Sequence, residues 1–362
     1  MALVLWSGVR IGGDTSLYLD GASSLLNGQP LIGRQPSYLG YIAVVAGLQA
    51  AGGGLVSIVI IQLAAATVAA IAVYRIAVEL GGRVAGALAV LLFAVDVETN
   101  RWHAFVLGDS LFLSFLVITA WLVHRATAAP ARFDRHAVAV LSLIATALIR
   151  PEGWFVVPAA AGYWILQPRL SMGRRVAFVG AALLGCIAIS TLVTPRLGGN
   201  LEAVGPGEML RRGQTIWDYD GWRVAMPDDP VWSTAHGSAA AVGYAVRHPI
   251  STASLMIARL AVHAAHVRPF YSTAHNVMIA AWLLPLYALG AIGWWAARHH
   301  RVAWWCAGVI ATQALVVALT HAEWDGRYLA HVMPLLYPSA ASGLGVVLLR
   351  AAPDVHARLI TP

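Results

Sequence analysis

Residues 53–74 read GGLVSIVIIQLAAATVAAIAVY, an uncharged run of 22 residues that stops at Arg75. An α-helix rises about 1.5 Å per residue and the hydrocarbon core of a bilayer is ~30 Å thick, so a run of this length can cross it. Comparable runs follow at 84–97, 104–124, 136–149, 154–167, 175–194, 276–297, 302–320 and 329–349. With an apolar stub at 1–10, they predict an all-α polytopic membrane protein with a bundle of about ten transmembrane helices. The runs 84–97, 136–149 and 154–167 are short for the core and are expected to extend into their flanks or to pack as broken helices. Tyr38–Ala51, 14 residues ahead of a glycine triplet, reads as an interfacial or re-entrant helix.

Composition agrees. Hydrophobic residues make up 59% of the 362, charged residues 11%, and the mean hydropathy is +0.69. A soluble domain carries about 25% charged residues. The balance therefore excludes a soluble enzyme, a disordered chain and a disulfide scaffold. Cys186 and Cys306 lie inside apolar runs, where a thiol behaves as a small hydrophobe, and no Cys/His pattern has zinc spacing. Phosphate-cradling and dinucleotide-binding glycine loops are missing. Met1–Val9 has no basic start and no cleavage pattern, and it is too short to span, so the first helix reads as truncated or partial.

The net charge of +7 comes from 24 basic residues, all of them arginine. Alternating the spans places Arg75, Arg83, Arg125, Arg132, Arg135, Arg169, Arg174, Arg175, Arg298, Arg301, Arg350 and Arg358 on one side. The short loops opposite hold five: Arg10, Arg34, Arg101, Arg150 and Arg327. The positive-inside rule makes the first side cytoplasmic. The arginines are then spent on topology rather than on a patch for nucleic acid. Three parts follow: transmembrane helices in 1–194 with a polar first outer loop at 11–52, an outer region of short helices at 195–275, and transmembrane helices in 276–362. The cytoplasmic (inner) membrane is the expected location.

Most of the acids fall on the outer face. Asp14, Asp20, Arg34, Asp96, Glu98, Arg101, His103, Asp109, Arg150, Glu152, His321, Glu323, Asp325 and Arg327 all lie in or beside outer loops. Ionisable groups at span ends are costly unless paired or facing a wet cavity, so their concentration on one face marks a site. The region after 195 sets Trp217, Tyr219, Trp222 and Trp232 among Asp218, Asp220, Asp228 and Asp229. Such a mixture suits carbohydrate stacking, and equally a small loop domain resting among headgroups. His263 and His266, three residues apart, can share a helix face, but nothing supplies further metal ligands.

The order of motifs resembles a known family. Gly13-Asp14-Thr15-Ser16-Leu17-Tyr18-Leu19-Asp20-Gly21-Ala22, then Leu25-Leu26-Asn27-Gly28 and Arg34-Gln35-Pro36-Ser37-Tyr38-Leu39, are similar to the first outer loop of the GT-C membrane glycosyltransferases. The likeness is narrower to the dolichyl-phosphate-mannose-protein mannosyltransferase and aminoarabinose transferase branch. Leu107-Gly108-Asp109-Ser110-Leu111-Phe112, Ile149-Arg150-Pro151-Glu152-Gly153, Arg247-His248-Pro249 and Arg327-Tyr328 continue the series. Thr15 replaces the second acid of that family's usual Asp-Glu pair. The resemblance implies a GT-C-like bundle and an inverting sugar transfer from a polyprenyl-phosphate carrier, outside the cytoplasmic membrane. The acceptor hydroxyl, on a protein, lipid or glycan, and the sugar are left open.

The residue chemistry can be read beside it. A base must take the acceptor's proton, and Asp14, just past a helix end, is the first candidate. The leaving phosphate needs cations and donors: Arg327 first, with Tyr328, His321 and Arg150 behind it. Asp96, Glu98, Asp109, Arg34 and Tyr18 are candidates for holding the sugar or the acceptor. No metal site is assigned, although Asp96, Glu98, Asp109 and Asp14 are oxygen ligands of the kind that suit Mg or Mn. Two rivals stand beside this expectation: a polytopic transporter or lipid flippase, and a catalytically inactive GT-C relative. A transporter, however, should show paired halves and ionisable groups near the midplane.

Overall fold

The computed structural model describes residues 8–128, 132–166, 171–174, 176–177, 179–181, 210–229 and 238–351. Helices dominate these residues. They are α1 (Thr15–Leu26), α2 (Leu39–Ala50), α3 (Leu55–Val95), α4 (Gly108–Ala128), α5 (Phe133–Ile149), α6 (Val156–Ile165), α7 (Ser238–Arg247), α8 (Pro249–Ala265), α9 (Thr273–Ala296), α10 (Arg301–Leu319) and α11 (Arg327–Ala351). Five of them, α3, α4, α9, α10 and α11, are long and apolar enough to cross a membrane.

That number falls short of the ten expected, for reasons the backbone shows. The runs 53–74 and 84–97 belong to one element, α3, broken at Gly81–Gly82, where Gly82 has φ 80°. Gly86 packs against Tyr74 and Val78, which a straight helix would leave well behind along its axis, so the second arm turns back on the first. α5 has 17 residues and α6 only 10, the latter shortened by a 3-10 turn at Pro151–Phe155. The run 175–194 lies largely outside the described residues, as does the stub at 1–7. Tyr38–Ala51 forms the 12-residue α2, too short to cross.

α11 is the axis of the bundle, packed on α3, α9, α4 and α10. Its contact with α9 is backbone to backbone. A side chain at Gly293 would strike the Ser339 carbonyl, and one at Gly343 the Leu289 carbonyl. In lipid, where apolar burial no longer drives association, such close approach of small residues supplies the packing. Outward-facing Ile60, Ile61, Val68 and Ile71 on α3 and Val277, Met278 and Leu284 on α9 are left exposed, as lipid-facing positions should be.

At one end of the bundle the loops carry structure of their own. β1 (Gln214–Ile216) and β2 (Tyr219–Arg223) form an antiparallel hairpin within the region expected to hold short helices. β-Favouring Thr215, Ile216, Tyr219 and Trp222 account for it. The hairpin also grips the segment before α11: Trp217 N donates to Ala322 O at 2.9 Å, and Ala322 N to Thr215 O at 2.9 Å.

Candidate active site

The loop at 11–14 is pinned before α1 begins. Arg10 N donates to Ala104 O at 2.8 Å, and Val106 N to Arg10 O at 3.0 Å. Thr15, buried at 1% exposure, donates to Val106 O at 3.0 Å and accepts from Gly12 N at 2.9 Å. Where the resembling family carries its second acid, this chain thus has a residue that ties the loop to the fold. Asp14 stands at the N-cap of α1, yet its side chain makes no cap bond. It points instead at two arginines, with Arg34 Nη2 at 3.0 Å and Arg327 Nη1 at 3.3 Å.

Arg327, the first residue of α11, serves four carboxylates. Nη2 reaches Glu323 Oε1 at 2.8 Å; Nη1 lies 3.3 Å from Asp14 and 3.7 Å from Asp109 Oδ2; Nε lies 3.7 Å from Asp325 Oδ1. Asp109, in the first turn of α4 and wholly buried, accepts from Arg150 Nη1 at 2.6 Å and faces His331 Nε2 at 2.9 Å. Arg150 is extended where Pro151 disfavours helix, and its fork closes on Glu152 at 3.1 and 3.0 Å. Charges out of water persist only when paired, and here each carboxylate has its cation.

Asp14, Arg101, Asp325 and Arg327 face a common cavity of about 410 Å³, completed by Arg10, Gly12, Gly13, Trp102, Phe105 and Leu107. Arg101 fixes its far wall, donating from Nη2 to Asp325 O at 2.7 Å and pairing with Glu98 Oε2 at 3.1 Å. The acids around it are tuned apart. Burial favours the neutral form of Glu323, but the His321 hydrogen bond and the Arg327 charge outweigh it and hold Glu323 down at about 2. Burial likewise opposes ionisation of Glu98, and His266, Arg101 and His275 hold it at about 2. Asp325 is raised, because burial outweighs the attraction of Arg327. Divergent environments of this sort are characteristic of sites that handle protons.

The residues singled out from the sequence divide accordingly. Asp14 and Arg327 border the cavity, with Arg34, 62% exposed, lying over Asp14. Asp109 and Arg150 sit behind them, sealed from it; Tyr38 and Tyr328 flank the Arg150 guanidinium at 5.6 and 5.9 Å. His321 stands 3.6 Å from Glu323, its ring against Trp217 and Tyr328. Tyr18 is turned away, buried edge-on against Tyr38 and Tyr41. Asp96 is buried too, capping the 97–100 turn and bonded to Thr99 and Tyr337. Arg101 and Asp325 line the cavity without having been singled out for a role. The signal for Asp325 was the acid-rich His321-Ala322-Glu323-Trp324-Asp325-Gly326 directly ahead of Arg327. Trp232 lies outside the described residues. Among the described residues no group of three or more His, Cys, Asp or Glu is placed to hold a metal ion.

A cavity in which Asp14 and Asp325 face one shared arginine, at the end of an apolar bundle, can accept a proton and stabilise an anion in the same space. The family model for dolichyl-phosphate-mannose-protein mannosyltransferase matches residues 36–194, somewhat under half of the chain. That stretch holds Asp96, Glu98, Asp109 and Arg150, while Asp14 and Arg327 lie outside it. No curated protein matches the chain. Over the matched stretch, then, this multi-pass membrane protein is similar to a family of membrane mannosyltransferases.

Proposed function

We propose that the chain is a GT-C-type glycosyltransferase that moves a sugar from a polyprenyl-phosphate donor to an acceptor hydroxyl, with inversion, on the extracytoplasmic face of the cytoplasmic membrane. The observation that carries this is the single cavity shared by Asp14 and Arg327. The acceptor oxygen attacks the anomeric carbon as the bond from that carbon to the phosphate oxygen breaks. The hydroxyl proton passes to Asp14, and the polyprenyl phosphate leaves as an anion against Arg327. Arg suits that task because its planar fork donates in pairs, and a fixed cation costs no reorganisation as the charge develops.

The carboxylates behind them set the geometry. Asp109 reaches Arg327 and Arg150 together, so the arginine that would hold phosphate is oriented from a sealed position. Glu152, through Arg150, anchors the other end of that chain. Sidedness rests on the arginine distribution along the sequence. A polyprenyl donor supports the same placement, since its chain stays in lipid while its phosphate and sugar sit at the headgroup level. The sugar itself is weighted towards mannose by the family match alone.

The test uses membranes bearing the wild-type chain or Asp14→Asn, supplied with radiolabelled polyprenyl-phospho-sugars. Losing the base should lower transfer by about 100-fold or more. Wild-type transfer by Asp14→Asn would remove Asp14 from the role of base. Absence of transfer by the wild type from every such donor would remove the enzyme reading.

A further inference from the structure

Next to the polar cavity is a second one of about 200 Å³, set between α9 and α11 beneath the 95–99 turn. Its body is apolar, lined by Met278, Trp282, Leu329 and Met333. Met278, 59% exposed on α9, places its rim on the lipid-facing surface. Its polar end is formed by Glu98 and His266.

That polar end is built but unsatisfied. His266 is 3% exposed; its Nε2 pairs with Glu98 Oε2 at 3.7 Å, beyond hydrogen-bond length, and its Nδ1 has no hydrogen-bond partner. The indole Nε1 of Trp282, buried in the same wall, is also without one. Buried polar atoms are nearly always bonded in folded proteins, so two orphans in one small cavity point to a ligand. His266 is also held there at a price in backbone strain. Its φ is 54°, in the left-handed region that favours glycine, and its ring lies so close over Gly326 that any side chain there would collide with it.

Charge then selects the ligand. Glu98 is ionised, its value held at about 2, and Asp96 lies beside it in the same wall. A phosphate or carboxylate head would set acceptor oxygens against the Glu98 carboxylate. An uncharged hydroxyl fits all three groups, because it accepts from an indole or imidazole N–H and donates to Glu98. We propose that this pocket seats the chain of a lipid alcohol, its hydroxyl-bearing head held by Glu98, His266 and Trp282, and that the sugar acceptor is such a lipid. Arg101 links the two cavities, pairing with Glu98 on one side and lining the Asp14 cavity on the other. A head with a further hydroxyl can therefore extend past Arg101 to Asp14. There that hydroxyl's oxygen bonds to the anomeric carbon, its proton goes to Asp14, and the bond from the sugar to the donor phosphate breaks. The binding half stands independently of the transfer; the acceptor half rests on the proposed transfer.

The test uses the full chain in lipid nanodiscs and two photoreactive probes with the same diazirine-bearing hexadecyl chain: a monoalkyl glycerol ether and its phosphate ester. The ether should cross-link to α9 and α11 peptides containing Met278 or Met333 about tenfold more than the phosphate. Met333→Trp, which fills the pocket, should abolish that labelling; Ala330→Val serves in its place where Met333→Trp does not fold. Glu98→Gln should bring the phosphate probe's labelling up towards that of the ether. Equal or stronger labelling by the phosphate in the wild type, or labelling that survives both filling variants, overturns the pocket's assignment. Labelling is read without sugar transfer, and Asp14→Asn should label normally. A wild type that transfers sugar to other acceptors but never to the ether overturns the acceptor half, whereas a wild type that labels and transfers nothing counts against the enzyme reading instead.

Discussion

The two ends of the bundle both pair carboxylates with basic groups, and they use them differently. At the end opposite the cavity, Glu79 on α3 meets His124 Nε2 at 2.8–2.9 Å from both of its oxygens. His124 Nδ1 lies 2.8 Å from the Tyr163 hydroxyl, whose ring stacks on Trp305 at 4.9 Å. Trp305 in turn donates to Ala120 O at 2.8 Å. Each group there has its own partner. At the cavity end, Arg327 is divided among four carboxylates and Asp109 among three basic groups. A closed chain of single partners holds helices together. A shared cation beside a cavity can pass some of its bonds to an incoming anion, and that is the property a transferase needs.

The sharpest way to break this contrast is to remove one cation from each end. Arg327→Gln should lower the turnover of transfer by about 10²–10³-fold, the usual cost of a lost transition-state donor. His124→Gln should leave turnover within about twofold, because its amide keeps a bond to Glu79 and no cavity is touched. Steady-state rates at saturating donor decide it. Comparable losses in both variants would mean that the ends share one task, and a silent Arg327→Gln would leave the phosphate without its assigned partner.

Removing a buried acid comes next. Asp109→Asn leaves Arg150 and Arg327 facing an uncharged amide in a sealed site, and breaking a buried pair costs about 3–5 kcal/mol. Glu79, 43% exposed, keeps access to water, so Glu79→Gln should cost no more than about 1 kcal/mol. Thermal unfolding of the purified variants in one detergent measures both, with Asp109→Asn expected to lose many more degrees. An Asp109→Asn protein as stable as the wild type would show that the network is not sealed as the geometry has it.

How much of this contrast was open to the sequence depends on which property is asked for. The apolar runs and the sorted arginines placed Glu79 at one end and Asp14, Asp109 and Arg327 at the other, because length and charge are properties of sequence position. Depth within the bundle is not. Asp109 and Asp14 are equally acidic residues at helix starts, and only the packing of α4 against α5 and α11 seals one and leaves the other at the cavity. Tyr18 was expected to meet substrate on the strength of its spacing from Asp14, yet its ring is buried against Tyr38 and Tyr41, while Asp14, on the non-helical cap backbone ahead of α1, turns its carboxylate to Arg34 and Arg327. Arg101 and Asp325 come together across 224 positions of chain, a pairing no local spacing can announce. The fold at Gly81–Gly82 is a different kind of gap: a helix reversal made by two glycines looks, in sequence, like an ordinary loop between two spans.

The smallest effect is expected in mild acid, and it too should come from the cavity end. His103, against Ser110 and Phe93 and 1% exposed, is held at about 4 by burial, against 6.5 for a free imidazole. Above pH 6.5 it is neutral folded or unfolded and contributes nothing. Between 6.5 and 4 the unfolded chain takes up a proton that the fold refuses, so stability falls by at most about 1.4 kcal/mol per pH unit. Glu98 and Glu323, held at about 2 against 4.5 when free, add their loss only below pH 4.5, where the unfolded carboxylates protonate first. Between pH 6.5 and 4.5 the decline therefore belongs to buried histidine and not to the carboxylates. His103→Gln, which keeps a polar group beside Ser110, should make that part of the curve less steep while leaving the steeper fall below 4.5 in place. The remainder comes from buried His263 and His266, which are also held below the free imidazole. Unfolding midpoints of the wild type and His103→Gln at half-unit intervals of pH separate the two, and an unchanged slope in the variant would assign the mild-acid loss to some other group.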